Sequence, residues 1–186
     1  MLSRFWAGLL LSAVTMLAAG ELSGRRAPGF ALPDLNLNYH DLADLRGRVV
    51  LVEIMQTTCP HCKTLSANLE KAKQKFGNKI AVLYIVNPPD NQGTVKGYMA
   101  QNGITSPMLF DCGQVSASYM MITPQRPSIS VPHLFLIDQN GFIRNDFGHS
   151  EANRSILEGA GLDAEITKVL GSPAAPKKAP AAPQKK

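Results

Sequence analysis

Two cysteines separated by two residues, Cys59-Pro60-His61-Cys62, are the side chains of this sequence best suited to chemistry. The thiolate is the nucleophile of thiol-disulfide exchange, and cysteines in Cys-x-x-Cys motifs have pKa values lowered to about 3.5–7.5 from a free thiol's about 8.5. The preceding stretch, "VVLVEIMQTTCPHC" from Val49, reads as an apolar strand that carries one carboxylate, Glu53. Cys59 falls between the end of that strand and the start of a helix, where unpaired N–H groups and the helix dipole favour an anion. Cys62, one helical turn on, is expected to be more buried and to resolve a mixed disulfide by attacking Cys59. Pro60 and His61 lie between the two and modulate them, His61 as a donor or a positive charge. A bridge over so short a loop adds little to fold stability, so the pair reads as redox-active rather than as a staple.

Competing chemistries lack their residues. A zinc site needs two more ligands, and Cys112, His40, His133 and His149 supply no second spaced pair. Haem attachment needs a histidine after the second cysteine, where Lys63 stands, and a peroxiredoxin's threonine three residues before its cysteine is here Gln56. No metal or cofactor is therefore expected. Cys112 reads as a buried structural thiol, with a second exchange partner as the alternative. Met120 and Met121 read as helical core packing, with copper binding alongside His133 and His149 as the alternative.

The elements that must position the pair alternate along the chain. Arg48 to Ile54 reads as a buried strand, "CPHCKTLSANLEKAKQKFG" as a helix stopping at Gly77, and "KIAVLYIVN" as a second strand ending at Pro88-Pro89. That order predicts a right-handed crossover and a parallel pair. "GTVKGYMAQNGI" reads as a helix, "SPMLFD" as a short strand and "GQVSASYMM" as a helix. "VPHLFLIDQNGFIRNDFG" gives two strands about an Asn140-Gly141 turn. Ala152 to Leu170 reads as helical with a break at Gly159 to Gly161.

With 186 residues and 45% hydrophobic content, the chain can bury one sizeable core. Its net charge of +5 includes Lys177, Lys178, Lys185 and Lys186; without them 15 basic residues face 14 acidic ones, a balance of +1. Nucleic acid is thus not implied. Residues 1–20 have a basic start, an apolar run from Phe5 to Ala19, and Ala18 and Gly20 at export-cleavage spacing. The run is short of the about 20 residues a membrane span needs, so a cleaved signal is expected, with an uncleaved anchor that tethers the protein to the membrane as the alternative. Export implies an oxidising compartment. Residues 172–186, rich in Pro, Ala and Lys, are expected to form a disordered tail.

The residues "RRAPGFALPDLNLNYHDLADLRGRVVLVEI", the Cys-x-x-Cys, and Val131-Pro132 before a strand ending "FLIDQNGFI" resemble the thioredoxin-like redoxins of the TlpA/ResA type, in the AhpC/TSA-redoxin superfamily. The resemblance covers about Ala27 to Leu170. Two positions depart: Thr58 stands where the family usually has tryptophan, and Cys-Pro-His-Cys replaces the usual Cys-x-Pro-Cys. That dipeptide is similar to the disulfide oxidase DsbA, whose long helical insertion this chain lacks. The resemblance implies an α/β thioredoxin-like domain over residues 25–171, with a central mixed sheet flanked by helices and an extra strand-helix insertion before a cis-proline. Glu53, six residues before Cys59, takes the place of the family's buried acid, where a raised pKa lets it relay protons. Pro132 takes the place of the cis-proline facing the pair, and Val131 that of the residue whose backbone pairs with substrate. The implied activity is thiol-disulfide exchange in the periplasm or another exported location, with protein dithiols or disulfides and a membrane or periplasmic redox partner. The scaffold argues for a reductase and the dipeptide for an oxidase, so direction stays open. The alternative function is a non-catalytic thioredoxin-like binder or copper carrier using the same cysteines.

Overall fold

The computed structural model describes residues 20–172. The expected signal and tail therefore lie, except for Gly20 and Ser172, outside the described residues. The chain runs β1 (Ala31–Pro33), β2 (Tyr39–Asp41), β3 (Val49–Met55), α1 (Pro60–Phe76), β4 (Ile80–Val86), α2 (Gln92–Asn102), β5 (Met108–Phe110), α3 (Gln114–Tyr119), β6 (His133–Ile137), β7 (Ile143–Gly148), α4 (Arg154–Leu157) and α5 (Leu162–Leu170).

Strands β3 and β4 are apolar along almost their whole length because both faces are covered, and every residue of each is buried. They pair in parallel at the centre of a five-stranded sheet ordered β5-β4-β3-β6-β7. β5 adds in parallel to β4, whereas β6 and β7 join antiparallel, so the sheet is mixed. A separate two-stranded hairpin, β1-β2, precedes it. Alternation along β3 sends Val49, Leu51 and Met55 into one cluster, with Leu65 and Leu69 of α1, Val95 and Tyr98 of α2 and Ile166 of α5. Val50, Val52 and Ile54 enter the opposite cluster, with Phe30, Leu42 and Tyr119. Glu53 shares the parity of Leu51 and Met55, so it faces the helix that begins at the cysteine pair. The packing extends upstream to Leu22, whose amide donates to Asp146 at 2.9 Å.

The helix ends follow local chemistry. Gly77 closes α1 with φ 56°, and Gly103 closes α2 in the left-handed region. A reciprocal Asn91–Thr94 capping box opens α2. In the β6–β7 connection the Asp138 carboxylate accepts from the Asn140 and Phe142 amides, each at 2.9 Å.

Two expectations are corrected. Cys112 is exposed, not buried, because the neighbouring Asp111 takes the inward position and caps α3 through the Ser116 amide at 2.8 Å. Met120 is buried, but Met121 is 51% exposed, since α3 stops at Tyr119 and a φ of 50° at Met121 turns the chain outward.

Candidate active site

The strand–loop–helix junction after β3 builds the site. Cys59 is the N-cap of α1, with extended backbone, and its sulfur accepts from the Cys62 amide at 3.2 Å. Pro60 occupies the first helical position, where a missing N–H costs nothing. The first turn of this 17-residue helix contains no acidic residue to offset its positive end. Cys59 and Cys62 are disulfide-bonded, with Cα atoms 5.2 Å apart. Cys59 is half-buried, whereas Cys62 is fully enclosed. The two sulfurs therefore differ sharply in access to solvent.

The loop before Cys59 is tied down by Asp90, which precedes α2. The Thr57 amide donates to Asp90 Oδ2 at 2.9 Å, its hydroxyl donates to Oδ1, and Thr94 Oγ1 donates to Oδ1 at 3.1 Å. Sequence reading missed Asp90; an acid just before a capping-box Asn was its only signal.

Glu53 is wholly buried, between Tyr84 of β4 and Leu134 of β6 in sheet register. Burial pushes its carboxyl well above the ordinary carboxylate range, and the Ser66 hydroxyl, donating to Oε2 at 3.0 Å, offsets only part of that. Its other oxygen has no partner among the described residues. Ser66, Tyr84 and Tyr98, which surround it, were also missed. A serine four residues after Cys62 on the apolar face of α1 was the available sign.

Val131-Pro132 is a cis peptide, and Pro132 is buried. His133 pairs with Ile54 across β3–β6, so this peptide lies beside the end of β3, where the loop to Cys59 departs. Val131 is half-buried. The structure thus brings Cys59, Cys62, Glu53, Val131 and Pro132 to one end of the central strands. His61 is exposed, and its ring lies against that of His149, with centroids 4.1 Å apart and the planes tilted by 37°. His133 turns inward instead, its Nε2 lying 3.0 Å from Asp146 Oδ2. Among the described residues no three potential ligands gather to hold a metal ion.

A model of the AhpC/TSA family matches residues 23–146. The thioredoxin-like protein YneN of Bacillus subtilis is 25% identical over 128 residues, 68% of this chain and 71% of YneN. The thiol-disulfide oxidoreductase ResA of Bacillus thuringiensis is 26% identical over 118 residues; the match covers 63% of this chain and 65% of that protein. A thioredoxin-family thiol:disulfide interchange protein of Chlorobium tepidum superposes with a TM-score of 0.67 at 19% identity, over 79% of this chain and 97% of its own. The chain therefore belongs to the AhpC/TSA family, as a thioredoxin-like redox enzyme of the thiol-disulfide oxidoreductase class.

Proposed function

We propose that the protein is an exported oxidoreductase that exchanges disulfides with protein substrates through Cys59 and Cys62. The observation that carries this reading is the asymmetry of the pair: Cys59 caps α1 at the surface while Cys62 is enclosed behind it. In the reducing direction, the Cys59 thiolate attacks a client disulfide, a Cys59–client bond forms, and one client sulfur leaves as thiolate. Cys62 then loses its proton to Glu53 and attacks Cys59; the Cys59–Cys62 bond forms and the second client sulfur departs. Two electrons pass from the pair to the client, and the reverse sequence oxidises a client dithiol. Val131 and Pro132 flank the approach to Cys59, with the Val131 backbone pairing with the client chain. Pro60 and His61 set the balance between thiolate and disulfide. The sequence of residues 1–20 supports export, and the oxidoreductase names of relatives such as ResA support protein thiols as substrates.

The test is capture of clients in the bacterial envelope. Cys62→Ser lacks the resolving thiolate, so Cys59 should stay joined to clients in adducts that dithiothreitol dissolves. Cys59→Ser should capture far less, because the remaining sulfur is enclosed. Equal capture by the two variants would overturn the exchange mechanism. The reduction potential of the pair then assigns direction.

A further inference from the structure

Glu53 has one occupied oxygen and one free. Ser66 Oγ donates to Oε2 at 3.0 Å, while Oε1 is enclosed without a partner among the described residues. Ser66 in turn accepts from the Tyr98 hydroxyl at 3.1 Å. These three side chains come from β3, α1 and α2, and all lie in the apolar cluster between sheet and helices. Ser66 sits four residues beyond Cys62, so both occupy the face of α1 turned toward β3.

The other polar groups of this cluster are engaged elsewhere. Tyr84, beside Glu53 on β4, donates to Glu70 Oε1 at 3.1 Å and to the Ser66 carbonyl at 3.2 Å. Glu70, farther along α1, also receives the Thr105 hydroxyl at 2.6 Å and the Ser106 amide at 3.2 Å. β6 places Leu134 beside Glu53, and the buried face of α5 is Leu162, Ile166 and Val169. Among the described residues, the Tyr98–Ser66 chain is the only side-chain hydrogen-bond chain that ends on Glu53. A serine hydroxyl in such a cluster is costly unless it is satisfied, and here it is satisfied on both sides.

We propose that Ser66 and Tyr98 are positioning residues of the redox site: they fix Glu53 through Oε2 and leave Oε1 as the acceptor for the Cys62 proton. The inference rests on the reading of Glu53 as the proton carrier. In the resolving step, the Cys62 S–H proton passes to Oε1 and the Cys62 sulfur attacks Cys59. The Cys62–Cys59 bond forms, the Cys59–client bond breaks, and the client sulfur leaves as thiolate. Ser66 and Tyr98 keep their own protons throughout. The hydrogen bond from Ser66, itself oriented by Tyr98, favours the carboxylate, against the burial that favours the acid.

The test measures release of peptide from a preformed Cys59–peptide mixed disulfide, the step in which Cys62 attacks, from pH 5.5 to 9, alongside the ¹³C carboxyl titration of Glu53 in the reduced protein. Ser66→Ala should move both midpoints upward by about one pH unit, because a donor to a carboxylate is lost. Tyr98→Phe should move them the same way by less, and Ser66→Thr, which keeps the hydroxyl, should restore the original midpoint. Glu53→Gln should abolish the exchange midpoint, and adding Ser66→Ala to it should change nothing further. Wild-type midpoints in Ser66→Ala and Tyr98→Phe, with the midpoint lost in Glu53→Gln, would overturn the inference and leave Glu53 its role. A midpoint that persists in Glu53→Gln would overturn the reading of Glu53 itself. Tyr98→Phe keeps the packing of the ring, so its titration decides the matter even if Ser66→Ala fails to fold.

Discussion

Replacing Glu53 by glutamine should alter the pH dependence of stability in a way that follows from its burial. The carboxyl is fully enclosed and receives one hydrogen bond, so its native pKa lies well above the ordinary value. In the unfolded chain a glutamate titrates near 4.3. Between these two values the native state keeps a proton that the unfolded state releases. The stability associated with the protonated carboxyl is therefore complete below about pH 4.3 and is lost as pH rises toward the native pKa. The slope in that window is about 1.4 kcal/mol per pH unit, appreciable for a domain stable by about 5–15 kcal/mol. Glutamine carries no such proton. The stability of Glu53→Gln relative to wild type should then grow by about 1.4 kcal/mol for each pH unit above pH 5, and level off beyond the native pKa. Placing an amide NH2 where Oε1 now lacks a partner adds a cost of about 1–3 kcal/mol that is the same at every pH, so it shifts the curve without tilting it. The depressed carboxyls of Asp34, Glu70 and Asp146 are common to both proteins and cancel in the difference. Urea unfolding of the two oxidised proteins at half-unit steps from pH 5 to 7 measures it. A difference that stays constant with pH would mean that Glu53 has an ordinary pKa, and the proton-carrier argument would lose its basis.

Two further outcomes are expected. In Cys62→Ser the Cys59 thiolate, followed by its ultraviolet absorbance, should titrate well below a free thiol's about 8.5, because it caps α1; a midpoint above 8 would refute this. Burial alone would raise the Asp146 carboxyl, but hydrogen bonds from His133, Ser23 and the Leu22 amide outweigh it and hold it low. Asp146→Asn should therefore cost about 1–3 kcal/mol at pH 7 and less as pH falls through the native pKa, with faster amide exchange at Leu22; unchanged exchange there would refute the anchoring.

Much of the frame was legible because its signals are local. The unbroken apolar runs of β3 and β4 identified central strands, Gly77 marked the end of α1, and Asn140-Gly141 marked the β6–β7 turn. The hairpin β1-β2 was not legible, since three-residue strands carry no period. Its turn is made instead by the Asp34 carboxylate accepting from the Asn36 and Asn38 amides and by a left-handed Leu37. The cysteine pair announced itself by spacing, and family resemblance pointed to Glu53 and Val131-Pro132. The partners of Glu53 did not show, because Ser66 lies 13 residues away and Tyr98 reaches Ser66 across 32. Cys112 misled because a cysteine's average preference for burial says nothing about a neighbour such as Asp111 that needs the inward position more.

Glu53 and Glu70 show why burial alone does not assign a carboxylate its task. Both are buried, Glu53 on β3 and Glu70 on α1, and for both desolvation is the largest influence and acts to raise the pKa. Glu70 nevertheless lies below the ordinary value, because hydrogen bonds from Thr105 and Ser106 and the nearby Lys73 outweigh burial; the Tyr84 hydroxyl also donates to it. The four donors favour its anion and fasten α1 to the segment before β5. Glu53 has one side-chain donor and an empty oxygen, so burial prevails and the acid form is favoured. The proton-carrier role proposed for Glu53 requires such incomplete satisfaction, since a fully satisfied anion loses its second state. The number of donors, rather than depth, separates the carboxylate that favours its anion from the one whose acid form burial favours.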